Sequence, residues 1–288
     1  MAGLVPAIHV FRVASRQNVD ARHKAGMTGQ MALPSARSSQ SIVSPRGVRK
    51  TFDSGTVALA GLDLDVRAGE FVSLLGPSGC GKSTALRVIA GLSDASAGKV
   101  AWPDGGKRLG FVFQEPTLMP WARVAANVAL PLRLARADAA AARAAALASL
   151  GRVGLADFAG AFPRELSGGM KMRASIARAL VTEPDLLLMD EPFAALDEIT
   201  RFKLNNDLLT LWQQLKRTVI FVTHSVFESV YLSQRILVMS PRPGRVVAEI
   251  DIPASYPRDE RFRTSAEYAG SCRKVSEALG AAMAERAA

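Results

Sequence analysis

A chain of 288 residues, 49% of them apolar, is long enough to fill one large core or two small ones, which excludes an intrinsically disordered class. No apolar run reaches the roughly 18 residues that a membrane-spanning helix needs, so any membrane role is expected through a partner. The net charge of +10 points to nucleic acid until it is located: residues 1 to 50 hold eight basic side chains against Asp20 alone, a balance of +7, and leave about +3 for the rest.

Residues 1 to 40 show no sustained period and carry scattered charges, Pro6 and Pro34. They read as a disordered basic extension or an over-called translation start, with Met27 and Met31 as alternative starts and a basic arm for a membrane surface or nucleic acid as a further reading. Ordered structure is expected from Ser41. Ile42, Val43 and Val48 suggest one strand, and the alternation of Leu59, Leu62, Leu64 and Val66 suggests a second, the pair forming an antiparallel flap.

The stretch Phe71 to Leu75 is a continuous apolar strand, and Gly76 to Thr84, GPSGCGKST, follows it and opens a helix. Glycines at 76, 79 and 81 let the backbone curl so that successive N–H groups point at an anion, and the helix adds its positive dipole end. Lys82 can then reach the outer phosphates of a nucleotide and Ser83 a magnesium ion. The chain has two cysteines, and Cys80 lies inside this loop, where a disulfide would obstruct a ligand; a reduced, cytosolic compartment fits.

Short strands are expected at Ala97 to Trp102 and at Leu109 to Phe113, the latter ending at Gln114. From Ala122 to Leu150 the chain turns alanine-rich and helix-forming, with Pro120 and Pro131 as punctuation, and reads as an inserted helical subdomain over about 115 to 183. Its last helix is announced by Leu166-Ser167-Gly168-Gly169. The sheet resumes at Asp185 to Met189, a run suited to a parallel strand covered on both faces, with Asp190 and Glu191 at its end. Thr218 to Thr223 ends at His224, and Arg235 to Met239 is a further strand; residues 251 to 288 read as a helical extension with no assignable chemistry. Strands alternating with helices argue for an α/β core, mostly parallel and wound with helices, whose ligands gather at the carboxyl ends of the strands.

Each later motif alone is weak, but their order is specific. Gly76-x-x-x-x-Gly81-Lys82-Ser83, Gln114, LSGGM at 166 to 170, LLLMDE at 186 to 191, Ala195-Leu196-Asp197 and His224 together resemble the ATPase subunit of ABC transporters over residues 41 to about 250. The resemblance implies a P-loop NTPase core with an antiparallel β flap and an inserted α-helical subdomain. It implies ATP and Mg2+ as cofactors. ATP is expected to contact Phe52, the loop residues Gly76, Pro77, Ser78, Gly79, Cys80, Gly81, Lys82, Ser83 and Thr84, then Gln114, Ser167, Gly168, Gly169 and Asp197. Ser83 and Gln114 would supply oxygens to magnesium directly and Asp190 through its water shell. Glu191 would take a proton from the attacking water, with Lys82 and His224 on the γ-phosphate. Phe52 would stack on adenine; a plain core phenylalanine is the alternative.

In the family, Ser167, Gly168 and Gly169 meet the γ-phosphate bound by a second subunit, so an ATP-dependent homodimer is expected. Two positions depart from the family's pattern: Met170 replaces the usual glutamine closing the signature, and Met172 stands where a second glutamine is frequent. Stretches such as Gln114-Glu115-Pro116, MDEPFAALDEITR at 189 to 201 and Met239-Ser240-Pro241-Arg242-Pro243-Gly244-Arg245 are similar to the importer group for nitrate, sulfonate and taurine. That implies transmembrane permease subunits as partners, a periplasmic substrate-binding protein indirectly, no nucleic acid, and a place on the cytoplasmic face of the inner membrane. Met119 and Trp121 would then be permease anchors or core residues. A soluble ABC-type ATPase acting on nucleic acid or ribosomes is the alternative.

Overall fold

The computed structural model describes residues 40–103 and 108–284. The reading of residues 1 to 40 therefore lies almost wholly outside the described residues, as does the end of the expected C-terminal extension.

Strand β1 (Ser41–Thr51) is the spine of a small antiparallel sheet and pairs with β2 (Val57–Leu62), β3 (Val66–Arg67) and β5 (Ala97–Ala101). The alternation of Leu59, Leu62, Leu64 and Val66 buries all four side chains, but the single strand expected there is broken. The break has a polar cause. Asp63 accepts the backbone N–H of Gly47 at 2.7 Å, while Asp65 accepts the Ser44 hydroxyl and the Arg46 guanidinium. Those side chains replace ladder bonds, so β2 and β3 pair with different halves of β1.

The larger sheet has the order β10-β9-β4-β8-β7-β6, with β4 (Phe71–Leu75), β6 (Leu109–Val112), β7 (Leu186–Asp190), β8 (Thr218–Thr223), β9 (Arg235–Met239) and β10 (Val246–Asp251). All its pairings are parallel except β9 with β10. Every residue of β4, β7, β8 and β9 is buried, as apolar runs without alternation require of strands covered on both faces. One cover is α1 (Lys82–Ile89), which joins the small sheet in one hydrophobic cluster; the other contains α5 (Glu198–Leu215), α6 (Val226–Leu232) and α8 (Ala266–Ala284). Short α7 (Glu260–Arg263) precedes α8.

Helices α2 (Val124–Leu134), α3 (Ala139–Arg152) and α4 (Gly168–Leu180) share a third cluster around Val124, Val128, Leu150 and Leu166. Pro131 does not punctuate this region: it lies buried inside α2. Packing of α2 on α3 and α4 carries the helix through the missing N–H, tertiary burial outweighing the local preference. Met172 is in the main core and Met170 packs partly against the third cluster.

Among the described residues no helix is long and apolar enough to cross a membrane.

Candidate nucleotide site

Because β4, β6, β7, β8 and β9 run parallel, their carboxyl ends share one edge of the sheet, and the loop from Gly76 to Gly81 leaves the central strand there. Gly79 and Gly81 have φ of 75° and 108°, and Gly81 caps α1 in the left-handed region. A Cβ at Gly81 would stand 2.7 Å from the Ala58 carbonyl oxygen, so glycine also allows β2 to close over the loop.

Lys82 is only 3% exposed. Its ammonium donates to the carbonyls of Gly76 at 2.8 Å and Pro77 at 3.0 Å and lies 3.3 Å from Glu191 Oε1. Helix α1 crosses β7 and β8, which brings the Ser83 hydroxyl to donate to Asp190 Oδ1 at 2.7 Å. Asp190 is buried at the end of β7, and desolvation pushes its carboxyl pKa up, against the hydrogen bond from Ser83. Burial likewise pushes up the Cys80 thiol, opposed by Lys82.

Glu191 follows at φ 45°, a left-handed conformation that costs a non-glycine residue about 1 kcal/mol or more. It turns the chain away from the strand direction while the backbone N–H still bonds the Val222 carbonyl at 3.0 Å. The carboxylate is thereby held between Lys82 on Oε1 and His224, whose Nδ1 lies 3.0 Å from Oε2. Lys82, Ser83, Thr84 and Glu191 line a cleft of about 320 Å3 that runs to Phe52, 44% exposed at its rim under the Lys50 ammonium.

Other expected residues lie elsewhere. Gln114 is exposed beyond the end of β6, the strand next to β7 that carries Asp190, and does not line the cleft. Ser167 caps α4, its hydroxyl accepting from the Met170 N–H, and Asp197 caps α5 by accepting from the Thr200 N–H. These two helix starts touch: a Cβ on Gly169 would meet Thr200 Cγ2 at 2.9 Å, and one on Gly168 would meet Leu196 Cδ2 at 3.4 Å. Ser167, Gly168 and Asp197 thus share one surface with Gly169 buried beneath it, and none of them lines the cleft.

Arg242 was missed as a site residue. It lines the cleft and donates from Nε to the Gly79 carbonyl at 3.1 Å. Gly244 beside it exchanges backbone bonds with Ala58 and Ala60. The available signal was the Pro241-Arg242-Pro243-Gly244 turn, whose position at the carboxyl end of β9 puts it on the same edge as the phosphate loop.

A parallel sheet with a glycine cradle between its central strand and a covering helix, a lysine in the cradle and an aspartate at the end of a nearby strand defines a P-loop nucleoside triphosphatase. A family model described as ABC transporter matches residues 59–194. The chain is 46% identical over 230 residues to a putative ATP-binding protein of Brucella abortus, covering 78% of this chain and 88% of that one. It is 49% identical over 200 residues to the taurine import ATP-binding protein TauB of Rhizobium johnstonii, covering 68% and 76%. Against the aliphatic sulfonates import ATP-binding protein SsuB of a Mycobacterium species it is 47% identical over 227 residues, covering 78% and 90%. Among solved structures, the dimeric ATP-binding cassette MJ0796 in a post-hydrolysis state with ADP and Pi superposes with TM-score 0.66 at 33% identity, covering 74% of this chain and all of that one. The chain belongs to the ABC transporter ATP-binding family and is an ATPase.

Proposed function

We propose that this ATPase powers import of a small sulfonate-type anion through a separate membrane permease, and that it works as an ATP-dependent head-to-tail homodimer. One observation carries the dimer. Within a chain the cleft residues and the Ser167 to Gly169 surface lie apart, so a helix N-terminus with a positive dipole end is left for a second chain's phosphate. The kinship with taurine and sulfonate import proteins supports the importer class, and Trp121, 71% exposed after Gln114, supports a docking role for that region.

The residues present fit a divalent cation: Ser83 Oγ and Asp190 Oδ1 are hard oxygen donors 2.7 Å apart, and a cation would offset the burial of the carboxylate. Ser83 and Gln114 would hold Mg2+ directly and Asp190 through water; when bound, the ion neutralises charge on the phosphate oxygens.

Lys82 exchanges the Gly76 and Pro77 carbonyls for phosphate oxygens. Glu191, held between Lys82 and His224, accepts the proton of the attacking water, and His224 orients it and contacts the γ-phosphate. Glu191→Gln is expected to lower turnover by a factor of about 100 to 10,000 while ATP binding is retained. Phosphate release and equilibrium ATP binding measure the two. Retained turnover sinks the general-base role, and copurification with ribosomes or DNA in place of a permease sinks the importer.

A further inference from the structure

The turn between β9 and β10 is held on three sides. Pro241 and Pro243 flank Arg242, each with its φ fixed by its ring. Across the turn the Ser240 N–H donates to the Arg245 carbonyl at 2.9 Å, and the Arg245 N–H donates to the Ser240 hydroxyl at 3.2 Å. Gly244 donates to the Ala58 carbonyl at 2.9 Å and accepts from the Ala60 N–H at 3.0 Å, which fastens the turn to β2. A backbone fixed this way aims one long side chain, that of Arg242, at the phosphate loop.

Arg242 Nε donates to the Gly79 carbonyl at 3.1 Å, and a Cβ on Gly79 would lie 3.4 Å from Nη2. Arg242 and Gly79 line the nucleotide cleft on one side and a second hollow, bordered by Pro77, Pro241 and Met283, on the other, so the guanidinium forms part of the wall between them. Among the described residues no carboxylate lies within ion-pair distance of Arg242, and no acceptor engages Nη1 or Nη2. Lys82, the other cation lining the cleft, is already shared with Glu191 at 3.3 Å and with two loop carbonyls. An arginine with Nε tied and both Nη groups open presents the planar fork that matches a pair of phosphate oxygens.

We propose that Arg242 binds the α- and β-phosphates of the nucleotide, the pair that the backbone of a phosphate loop cradles, while Lys82 serves the β- and γ-phosphates. Gly79 belongs to that backbone and holds Nε, so loop and guanidinium take the phosphates as one unit. The contact is common to ATP and ADP, which share those two phosphates. It rests on the reading of this cleft as the nucleotide site. The competing role is structural, with Arg242 only steadying the Gly79 carbonyl, and charge separates the two: a phosphate contact needs the cation, whereas a carbonyl needs any N–H.

The test is equilibrium binding of ATP and of ADP, each with Mg2+, to the full chain at about 0.05 and 0.5 M NaCl. Arg242→Gln keeps an amide N–H for the Gly79 carbonyl and removes the charge. It is expected to raise both Kd values about tenfold at low salt and by a smaller factor at high salt, where the charge is screened. Arg242→Lys keeps the charge without the fork and should raise them about threefold. Kd values for Arg242→Gln within about twofold of the unsubstituted chain overturn the proposal. So does a loss confined to ATP, which would put the guanidinium on the γ-phosphate, and so does an equal loss at both salt concentrations, which marks the structural role. Lys82→Ala checks the cleft itself. Undiminished ATP binding in that variant places the nucleotide elsewhere and sinks both readings, whereas weakened binding there with unchanged binding in Arg242→Gln sinks this proposal alone.

Discussion

At Gly244 the missing Cβ matters more than the flexibility: it would stand 2.1 Å from the Cys80 carbonyl oxygen and 2.9 Å from Met239 Cε. Gly244→Ala must push the turn off the phosphate loop, at a cost of about 2 kcal/mol or more. Urea denaturation should show that loss, together with weaker ATP binding. Phe52 is a different case because nothing in the fold requires its ring at the rim, where it is left 44% exposed. Phe52→Ala should raise the apparent ATP requirement severalfold, since a stacked ring contributes about 1 kcal/mol, with little change in stability. An unchanged ATP requirement would return Phe52 to a surface role.

At the scale of elements, α4 is tied to the segment after Gln114 by one buried cation. Arg178 donates to the carbonyls of Pro116 and Thr117 and to the Thr117 hydroxyl, each at 2.8 Å. Desolvation lowers its pKa to about 10, still leaving it charged at neutral pH. The helix that presents Ser167 and Gly168 is therefore tied to the loop that follows Gln114. Arg178→Leu strips two partly buried carbonyls of their donor, and a stability loss of about 1 to 3 kcal/mol is expected in urea. If ATP turnover then persists without response to added permease, the clamp is the link between α4 and that loop.

For the molecule as a whole, the small sheet is pinned to the large one by Arg235, which donates to both Glu70 oxygens, to Glu249 and to the Asp65 carbonyl. The cleft between Phe52 and Glu191 depends on that junction, since its two walls come from different sheets. Completion of the site by a second copy is tested by mixing. Lys82→Ala chains and Ser167→Arg chains should each be inactive, and their mixture should recover turnover in the one intact composite site. No recovery, in heterodimers purified through two different affinity tags, would place the whole site within one chain.

The phosphate loop, its strand and helix, and the run LLLMDE were legible in the sequence because each function there is local. Gly79 and Gly81 need positive φ whatever surrounds them, and a doubly covered strand must be apolar throughout. The order of the motifs carried the family. Tertiary structure alone decided the rest. Asp63 and Asp65 end a strand only because Gly47, Ser44 and Arg46 lie across from them. Pro131 stays in a helix only because packing holds it there. Arg242 enters the cleft because β9 runs beside β4. Pairings across dozens of residues leave no periodic or compositional trace, since each partner is an ordinary polar residue until the fold brings the other to it.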